Sequence, residues 1–255
     1  MAASPPVKSA ERVLELLEHF ADTHEPASLI EISRTLGYPQ SSTSALLASL
    51  AGLGYVIQDP ETRKYRPTLR VMLLGSWLHD EMFTDGSLIS AMDLLRRKTG
   101  QTVIVAIRQG IRLRVISSLQ GHHRHSFRIR TGSTLSVCRS AMGKVLLGSE
   151  LDDEVARIGR YFNAETPDVR QRVNIDELLD GVRMARFAGW AESDDFPVAG
   201  HGGVATLLPA IEGQPRVSLG LGARMDIVLA DRTRMVDAVL EARERFAKRA
   251  KTSSE

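Results

Sequence analysis

Residues 28–66 read SLIEISRTLGYPQSSTSALLASLAGLGYVIQDPETRKYR, and this stretch decides the fold of the first part of the chain. Ser28 and Glu31 have the spacing of a capping box at the start of one helix, and Gly37 supplies the turn that ends it. Pro39 stands near the start of the next helix, where a missing amide hydrogen costs little. Helical spacing predicts that four leucines form the buried side of that helix: Leu46, Leu47, Leu50 and Leu53.

The flanking segments extend this pattern. Upstream, Ser9 is placed to cap a helix whose apolar residues recur at helical spacing: Val13, Leu16, Leu17 and Phe20. Downstream, Gly54 ends the third helix, and residues 55–57 and 64–66 are predicted as two short strands joined by the turn at 59–62. Three helices followed by a hairpin, in about 60 residues, is the order of a winged helix-turn-helix.

The rest of the chain predicts a second, larger domain. Residues 68–80 form an apolar helical stretch that joins the two parts, and residues 1–8 are predicted as a disordered arm. Beyond residue 83, the patterns predict helices at 87–98, 150–159, 175–187 and 231–248, and strands at 102–107, 112–119, 125–130, 203–209 and 216–222. We therefore expect an α+β fold with a mostly antiparallel sheet.

Composition excludes several classes of protein. The single cysteine, Cys138, rules out a disulfide framework within the chain and a zinc site built from several cysteines. No run of 18 apolar residues is present, and residues 1–10 have no apolar signal-peptide core. These features favour a cytoplasmic protein with no membrane partner.

The third predicted helix is the candidate for reading DNA. Its first turn carries only short polar side chains, of which Ser41 and Ser42 are expected to bind phosphate, since helix N-termini attract anions. Three others are expected to contact base edges: Gln40, Thr43 and Ser44. Backbone contacts are expected from the wing and from the arm: Arg63, Lys64, Arg66 and Lys8. The alternative is that the Ser/Thr cluster only caps the helix.

The charge balance weakens the DNA interpretation. Residues 1–70 contain seven Lys and Arg residues against eight Asp and Glu residues, and the third helix has no basic residue. DNA-binding domains usually present a basic surface. The acidic residues cluster in the first helix and its following loop, which can face away from DNA, and paired modules can supply affinity that one module lacks.

Several motifs, in order, resemble the isocitrate-lyase-regulator (IclR) family of transcription factors over residues 9–248. In the first part these are SAERVL from Ser9, LGYPQSS around Gly37, LGYV around Gly54 and DPETRKYR from Asp59. In the second part they are SAMGKVLL from Ser140 and FAGWA from Phe187.

The resemblance implies a winged helix-turn-helix at 9–67, a linker helix at 68–80, and a GAF-like domain at 81–250 that binds an effector and mediates oligomerisation. Family members are homodimers or homotetramers (dimers of dimers) that bind double-stranded promoter DNA. They regulate catabolic operons in response to small metabolites, often organic or aromatic acids. The resemblance implies no cofactor.

Two departures from the family pattern affect the expected chemistry. Ala45 stands where the family usually has Arg in the third helix, so a bidentate contact is lost. Gly220 and Gly222 stand where the family has two serines that help to hold a carboxylate. We expect the glycines to enlarge the space and admit a bulkier aromatic or heterocyclic acid; the alternative is a pocket that has lost its ligand.

By position against the family, eight residues are expected to line the effector pocket: Phe127, Leu135, Ala141, Met142, Ser193, Ala205, Gly220 and Gly222. Apolar walls with few polar groups are the usual design of such pockets. Phe127, Leu135 and Met142 can equally be ordinary core residues. Arg139 is expected either to pair with a carboxylate or, more simply, to be a solvated surface charge.

Other chemistries find little support in the sequence. In the segment His122–His125 only two imidazoles can share a face, so no metal site is predicted. His201-Gly202-Gly203 resembles an esterase oxyanion loop, but no Gly-x-Ser-x-Gly elbow accompanies it, and Ser140 and Lys144 are not spaced as Ser-x-x-Lys. Three functions remain: a ligand-responsive regulator, a sensing module with weak DNA binding, and a hydrolase, of which the first is favoured and catalysis is not expected.

Overall fold

The computed structural model describes residues 7–76, 87–122 and 126–252, with side chains as far as residue 248. Backbone contacts divide the chain into two compact units, Met1–Glu81 and Met82–Glu255.

The N-terminal unit has the predicted order of elements. Its helices are α1 (Lys8–Thr23), α2 (Leu29–Leu36) and α3 (Gln40–Gly52), and its strands are β1 (Val56–Gln58) and β2 (Tyr65–Pro67). Apolar residues from all three helices and from β1 meet in one core: Leu16, Phe20, Ala27, Ile32, Leu47, Leu50 and Val56. This unit is a winged helix-turn-helix.

Local hydrogen bonds explain where these elements begin and turn. The capping box is present, since Ser28 N donates to Glu31 Oε2 at 2.7 Å and Glu31 N donates to Ser28 Oγ at 3.3 Å. Gly37 ends α2 with a φ of 68°, in the left-handed region that favours glycine. The strands pair antiparallel, with Ile57 opposite Arg66, and Asp59 holds the turn by accepting from Thr62 N at 2.8 Å.

Two predictions about this unit were wrong. Ser9 is not the cap of α1, because the helix begins one residue earlier, at Lys8, after Val7. Lys8 is therefore a helical residue and not part of a disordered arm. Leu53 is 58% exposed rather than buried, because α3 ends at Gly52 and Leu53 lies in the turn that follows.

The predicted linker helix begins at the expected place. Thr68 caps α4 (Leu69–Leu73) by accepting from Arg70 N at 3.2 Å. Residues 77–80 of the predicted linker lie outside the described residues.

The C-terminal unit is an antiparallel sheet covered by helices on both faces. The strands are β3 (Thr102–Gln109), β4 (Arg112–Leu119), β5 (Thr134–Ser136), β6 (Trp190–Ser193), β7 (His201–Leu207) and β8 (Val217–Arg224), in the order β5-β4-β3-β8-β7-β6. The helices are α5 (Ser87–Thr99), α6 (Ala141–Leu147), α7 (Asp152–Glu165), α8 (Ile175–Ala188), α9 (Met225–Ala230) and α10 (Arg232–Thr252). This is the expected α+β, GAF-like architecture.

Alternation along the strands divides the core in two. Val103 and Val105 of β3 belong to a cluster shared with α5 and α10, whereas Ile104 and Ala106 belong to a cluster shared with α6, α7 and α8. Successive residues of a strand point to opposite faces, so each face of the sheet has its own helical layer.

The strand predicted at 125–130 was wrong: residues 126–130 form no strand, and residue 125 is not described. The alternation of Phe127 and Ile129 suggested a strand in the sheet. Side-chain hydroxyls bind the backbone carbonyls of both residues instead: Thr102 Oγ1 donates to Phe127 O, and Ser118 Oγ donates to Ile129 O at 3.1 Å. The edge partner of β4 is β5, with Leu113 opposite Leu135.

Candidate DNA-contacting surface and effector pocket

One side of α3 is exposed and uncharged. Gln40, Ser41, Ser44, Ala45 and Ala48 are exposed and share this side, since helical neighbours recur at three and four residues. The opposite side is held in the core by Leu47 and Leu50. α3 can therefore offer an amide, two hydroxyls and two methyl groups, but no cation.

Not all of the predicted base-reading residues share this surface. Thr43 is fully buried, and its hydroxyl donates to Pro39 O at 3.2 Å, so the expectation that Thr43 contacts a base was wrong. Ser42 is half-buried. Ser49, which the sequence interpretation missed, is exposed one turn beyond Ala45 and donates to Ala45 O at 2.9 Å.

The cations of the unit lie on elements other than α3. Arg63 and Arg66 are exposed on the hairpin, Lys8 is exposed at the start of α1, and Lys64 lies 4.0 Å from Glu31 in an ion pair that solvent screens. Arg12, which sequence reasoning missed, lies over the ring of Tyr38 at 4.7 Å, two residues before α3 begins. An aromatic residue beside a predicted helix start was the available signal.

The nearby carboxylates are held in their charged form. Hydrogen bonds from Ser28 lower the pKa of Glu31, with a smaller contribution from Lys64. Hydrogen bonds from Thr62 lower the pKa of Asp59 in the wing turn. Glu31 and Asp59 are therefore negatively charged at neutral pH, and any DNA contact depends on where the cations are placed.

The C-terminal unit contains a pocket between the start of α6 and the sheet. Its empty space is about 360 Å³, part of it open to solvent. Six of the eight residues expected there line it: Phe127, Leu135, Ala141, Met142, Ser193 and Gly222. Seven further residues complete the lining: Ile104, Ser140, Phe196, Pro197, Gly202, Gly203 and Leu221. The walls are thus mainly apolar.

Tight packing fixes the start of α6 against this pocket. A Cβ on Gly143 would lie 1.8 Å from Val137 O. Only glycine therefore lets α6 approach the backbone at Val137 so closely. Ser140 caps α6 by accepting from Gly143 N at 3.0 Å and donating to Ser136 O at 2.7 Å. Lys144 anchors the other side by donating from Nζ to Glu192 O at 2.9 Å.

The two glycines of β8 do not enlarge the pocket, contrary to the expectation from sequence. A Cβ on Gly222 would lie 2.7 Å from Cδ1 of Phe127, because that ring fills the space. A Cβ on Gly220 would lie 2.8 Å from Ala205 Cβ, and neither Gly220 nor Ala205 lines the pocket. Both of these residues are buried within the β7–β8 pair.

Few polar groups remain available to a ligand. Ser193 is a buried residue that lines the pocket, and its hydroxyl has no hydrogen-bond partner among the described residues. The first-turn amides of Ala141 and Met142 have no partner within their helix. Arg139 lies outside this lining and packs over the Phe196 ring at 5.0 Å, so it holds a wall of the pocket.

The structure also shows where the residues considered for catalysis or metal binding lie. Ser140 and Lys144 each bond to backbone groups and not to each other. Burial raises the pKa of the Cys138 thiol to about 12, which keeps it neutral and unreactive. Among the described residues, no group of three metal-ligating side chains is present, and His123–His125 lie outside them. Within the same residues, no helix has the length and hydropathy to cross a bilayer.

Comparisons with known proteins bear on both units. Residues 9–60 match the IclR helix-turn-helix domain, and residues 87–245 match the bacterial transcriptional regulator IclR C-terminal domain. The HTH-type transcriptional regulator XynR of Escherichia coli (strain K12) is 29% identical over 187 residues, which are 73% of this chain and 74% of the relative.

Solved structures show the same fold over almost the whole chain. A regulator of this family from Alicyclobacillus acidocaldarius has a TM-score of 0.82 at 20% identity, covering 96% of this chain and 99% of that chain. An IclR homologue from Microbacterium hydrocarbonoxydans, complexed with 4-hydroxybenzoate, has a TM-score of 0.78 at 17% identity, with the same two coverages. With a winged helix-turn-helix, a GAF-like second unit and family matches to both, the chain belongs to the IclR family of bacterial transcriptional regulators.

Proposed function

We propose that this regulator controls a catabolic operon by binding promoter DNA as a dimer or a dimer of dimers and by sensing a small organic acid, aromatic or heterocyclic. The observation that carries the proposal is the pocket at the start of α6: mainly apolar walls surround the hydroxyl of Ser193, a buried residue whose hydroxyl has no hydrogen-bond partner among the described residues. It lies in a chain whose other unit is a winged helix-turn-helix.

The chemistry of the pocket favours an acid with an apolar body. Aromatic side chains of Phe127 and Phe196 offer faces to a planar ring, and the amides at the start of α6 and the Ser193 hydroxyl offer hydrogen bonds to a carboxylate. The structural relative that holds 4-hydroxybenzoate supports this ligand class. Because the Phe127 ring occupies the space beside Gly222, a ligand of that size requires the ring to move.

A second copy of the chain is favoured by α4. Leu69, Met72 and Leu73 are 78%, 65% and 61% exposed on a helix of five residues. Clustered apolar residues of this kind mark interaction surfaces. Pairing of two copies through this segment would place two winged helices on one operator, and the avidity of the pair would offset the absence of a cation on α3.

The proposed response to ligand is a shift between two states of the dimer. A ligand that binds one arrangement of the pocket better shifts the population toward that arrangement, by no more than its difference in affinity for the two states. The linker segment then passes the change to the paired winged helices.

A gel-shift titration with the region upstream of the protein's own gene tests the proposal. We expect a sequence-specific shift that weakens as salt rises and that changes when benzoate or 4-hydroxybenzoate is added. The matched variant Ser193→Ala should keep the shift and lose the response. If no sequence-specific shift is seen even at low salt concentrations, the proposal is contradicted.

A second candidate function, a sensing module with weak DNA binding, is favoured by the uncharged face of α3 around Ala45. Under this alternative, Ala45→Arg would leave specific DNA binding undetectable. Tight specific binding by the wild-type protein would exclude it.

A further inference from the structure

A second cleft, away from the effector pocket, is lined by three arginines and, in the part of the chain that the structure describes, by no acidic residue. It lies between the ends of α6 and α8 and the start of β8, and it encloses about 790 Å³, part of it open to solvent. The arginines are Arg186, Arg216 and Arg243, and we call this feature the arginine cleft. The apolar residues Val145, Ala185 and Leu207 also line it.

Two of the three guanidinium groups are free to bind a ligand. Neither Arg216 nor Arg243 has a hydrogen-bond or ion-pair partner among the described residues. Arg243 is half-buried, so its charge is partly removed from water without a compensating anion. Its guanidinium lies close to the end of α8, since a Cβ built on Gly189 would lie 2.9 Å from Arg243 Nη1.

The third arginine has a structural role. Arg186 donates to Gly148 O at 3.0 Å, to Glu150 O at 2.9 Å and to Asp152 Oδ1 at 3.2 Å. It thereby covers carbonyl oxygens at the end of α6 that would otherwise repel an anion in the cleft. Phe187, 93% exposed, stands at the rim as an uncovered aromatic face.

We propose that the arginine cleft binds a small metabolite with two or more negative charges, a phosphate ester or a polycarboxylate. Arg243 lies on α10, and Arg216 is an exposed residue directly before β8. Both present planar donors that match phosphate and carboxylate oxygens. The apolar residues and Phe187 receive the uncharged part of the ligand. This site is separate from the effector pocket, whose lining contains no arginine.

The cleft and the pocket are connected by one helix. Ala141 and Met142 at the start of α6 line the pocket, and Val145 with Gly148 at its end line the cleft. A ligand in the cleft that changes the position of α6 would therefore change the affinity of the pocket, and the coupling must be reciprocal.

Calorimetric titration of the full-length protein with inorganic pyrophosphate and, separately, with citrate tests the proposal. We expect at least one of them to bind, and the double variant Arg216→Gln/Arg243→Gln to weaken that binding by about tenfold or more, since each lost contact is a charge-assisted hydrogen bond. The stronger of the two probes identifies the phosphate or the carboxylate class. Arg157→Gln, which removes an exposed arginine paired only with Glu154, should change the affinity less than twofold, within the usual effect of surface charge.

Two outcomes would overturn the proposal: neither probe binds the folded wild-type protein, or the probes bind the double variant as tightly as the wild type. Circular dichroism of the free variants establishes that the double variant is folded. Since these titrations need no DNA, their failure leaves the proposed regulatory function standing.

Discussion

Two helices, α3 in the N-terminal unit and α6 in the C-terminal unit, differ in what surrounds them. α3 begins after Pro39, and only three of its 13 residues are buried. α6 begins after Ser140, and six of its seven residues are buried. In α6, packing determines almost every side chain, whereas one whole side of α3 is left available for binding. A serine near a helix start therefore does not by itself indicate one role: Ser140 caps α6, whereas Ser44 is exposed on α3.

The largest effect should come from adding one methyl group to α6. Gly143→Ala places a Cβ 1.8 Å from Val137 O, so helix and backbone must separate, and we expect a loss of about 3 kcal/mol or more in the free energy of unfolding. Urea unfolding followed by circular dichroism measures it.

The matched control lies in the exposed helix. Gly52 at the end of α3 has no atom within 4 Å of an added Cβ, so Gly52→Ala should be neutral or stabilising by up to about 1 kcal/mol. If the two substitutions lower the free energy of unfolding equally, the proposed difference in packing between α3 and α6 is wrong.

The next effect concerns the exposed side of α3. Gln40 is exposed in its first turn, and its amide can form two hydrogen bonds with adenine. We expect Gln40→Ala to lower the affinity for the operator by about 1–3 kcal/mol and to leave the unfolding free energy unchanged. Fluorescence anisotropy with a labelled operator gives the affinity. If Gln40→Ala lowers the affinity for unrelated DNA by the same factor, Gln40 contacts no base.

A residue on the buried side of the same helix should behave in the opposite way. Thr43→Val keeps the shape of the side chain but removes the hydrogen bond to Pro39 O, so stability should fall by about 1 kcal/mol. Operator affinity, measured on folded protein, should not change. A tenfold loss of affinity without a loss of stability would return Thr43 to the DNA-contacting surface.

The sequence predicted elements better than it predicted exposure. Spacing of apolar residues and the capping box were sufficient for α2 and α3, because these signals act within a few residues. The burial of Thr43 and the exposure of Leu53 depend on where α3 ends and on what packs against it, which no local pattern contains.

The effector pocket shows the same division. Position against the family placed Phe127, Ser193 and Gly222 at the pocket, and all three line it. Gly220 instead lies against Ala205 of the neighbouring strand, and the Phe127 ring occupies the space beside Gly222. The glycines in place of serines suggested a larger pocket, because the sequence does not show that the Phe127 ring, from a distant segment, occupies the space beside Gly222. Phe196 was missed because it lies in the loop between β6 and β7, where no periodicity marks a pocket residue.

The smallest effect would come from single methyl groups in the DNA. Ala45 and Ala48 are exposed one turn apart on α3, and alanine methyls pack against the C5-methyl group of thymine. Replacing thymine by uracil at a contacted position removes that methyl and should cost about 0.8 kcal/mol, roughly fourfold in affinity. The effect should vanish in Ala45→Gly at the position facing residue 45, and uracil outside the footprint should have none. If uracil is tolerated at every position, the exposed side of α3 contributes hydrogen bonds only, and the cations of the wing and Arg12 must carry the contact.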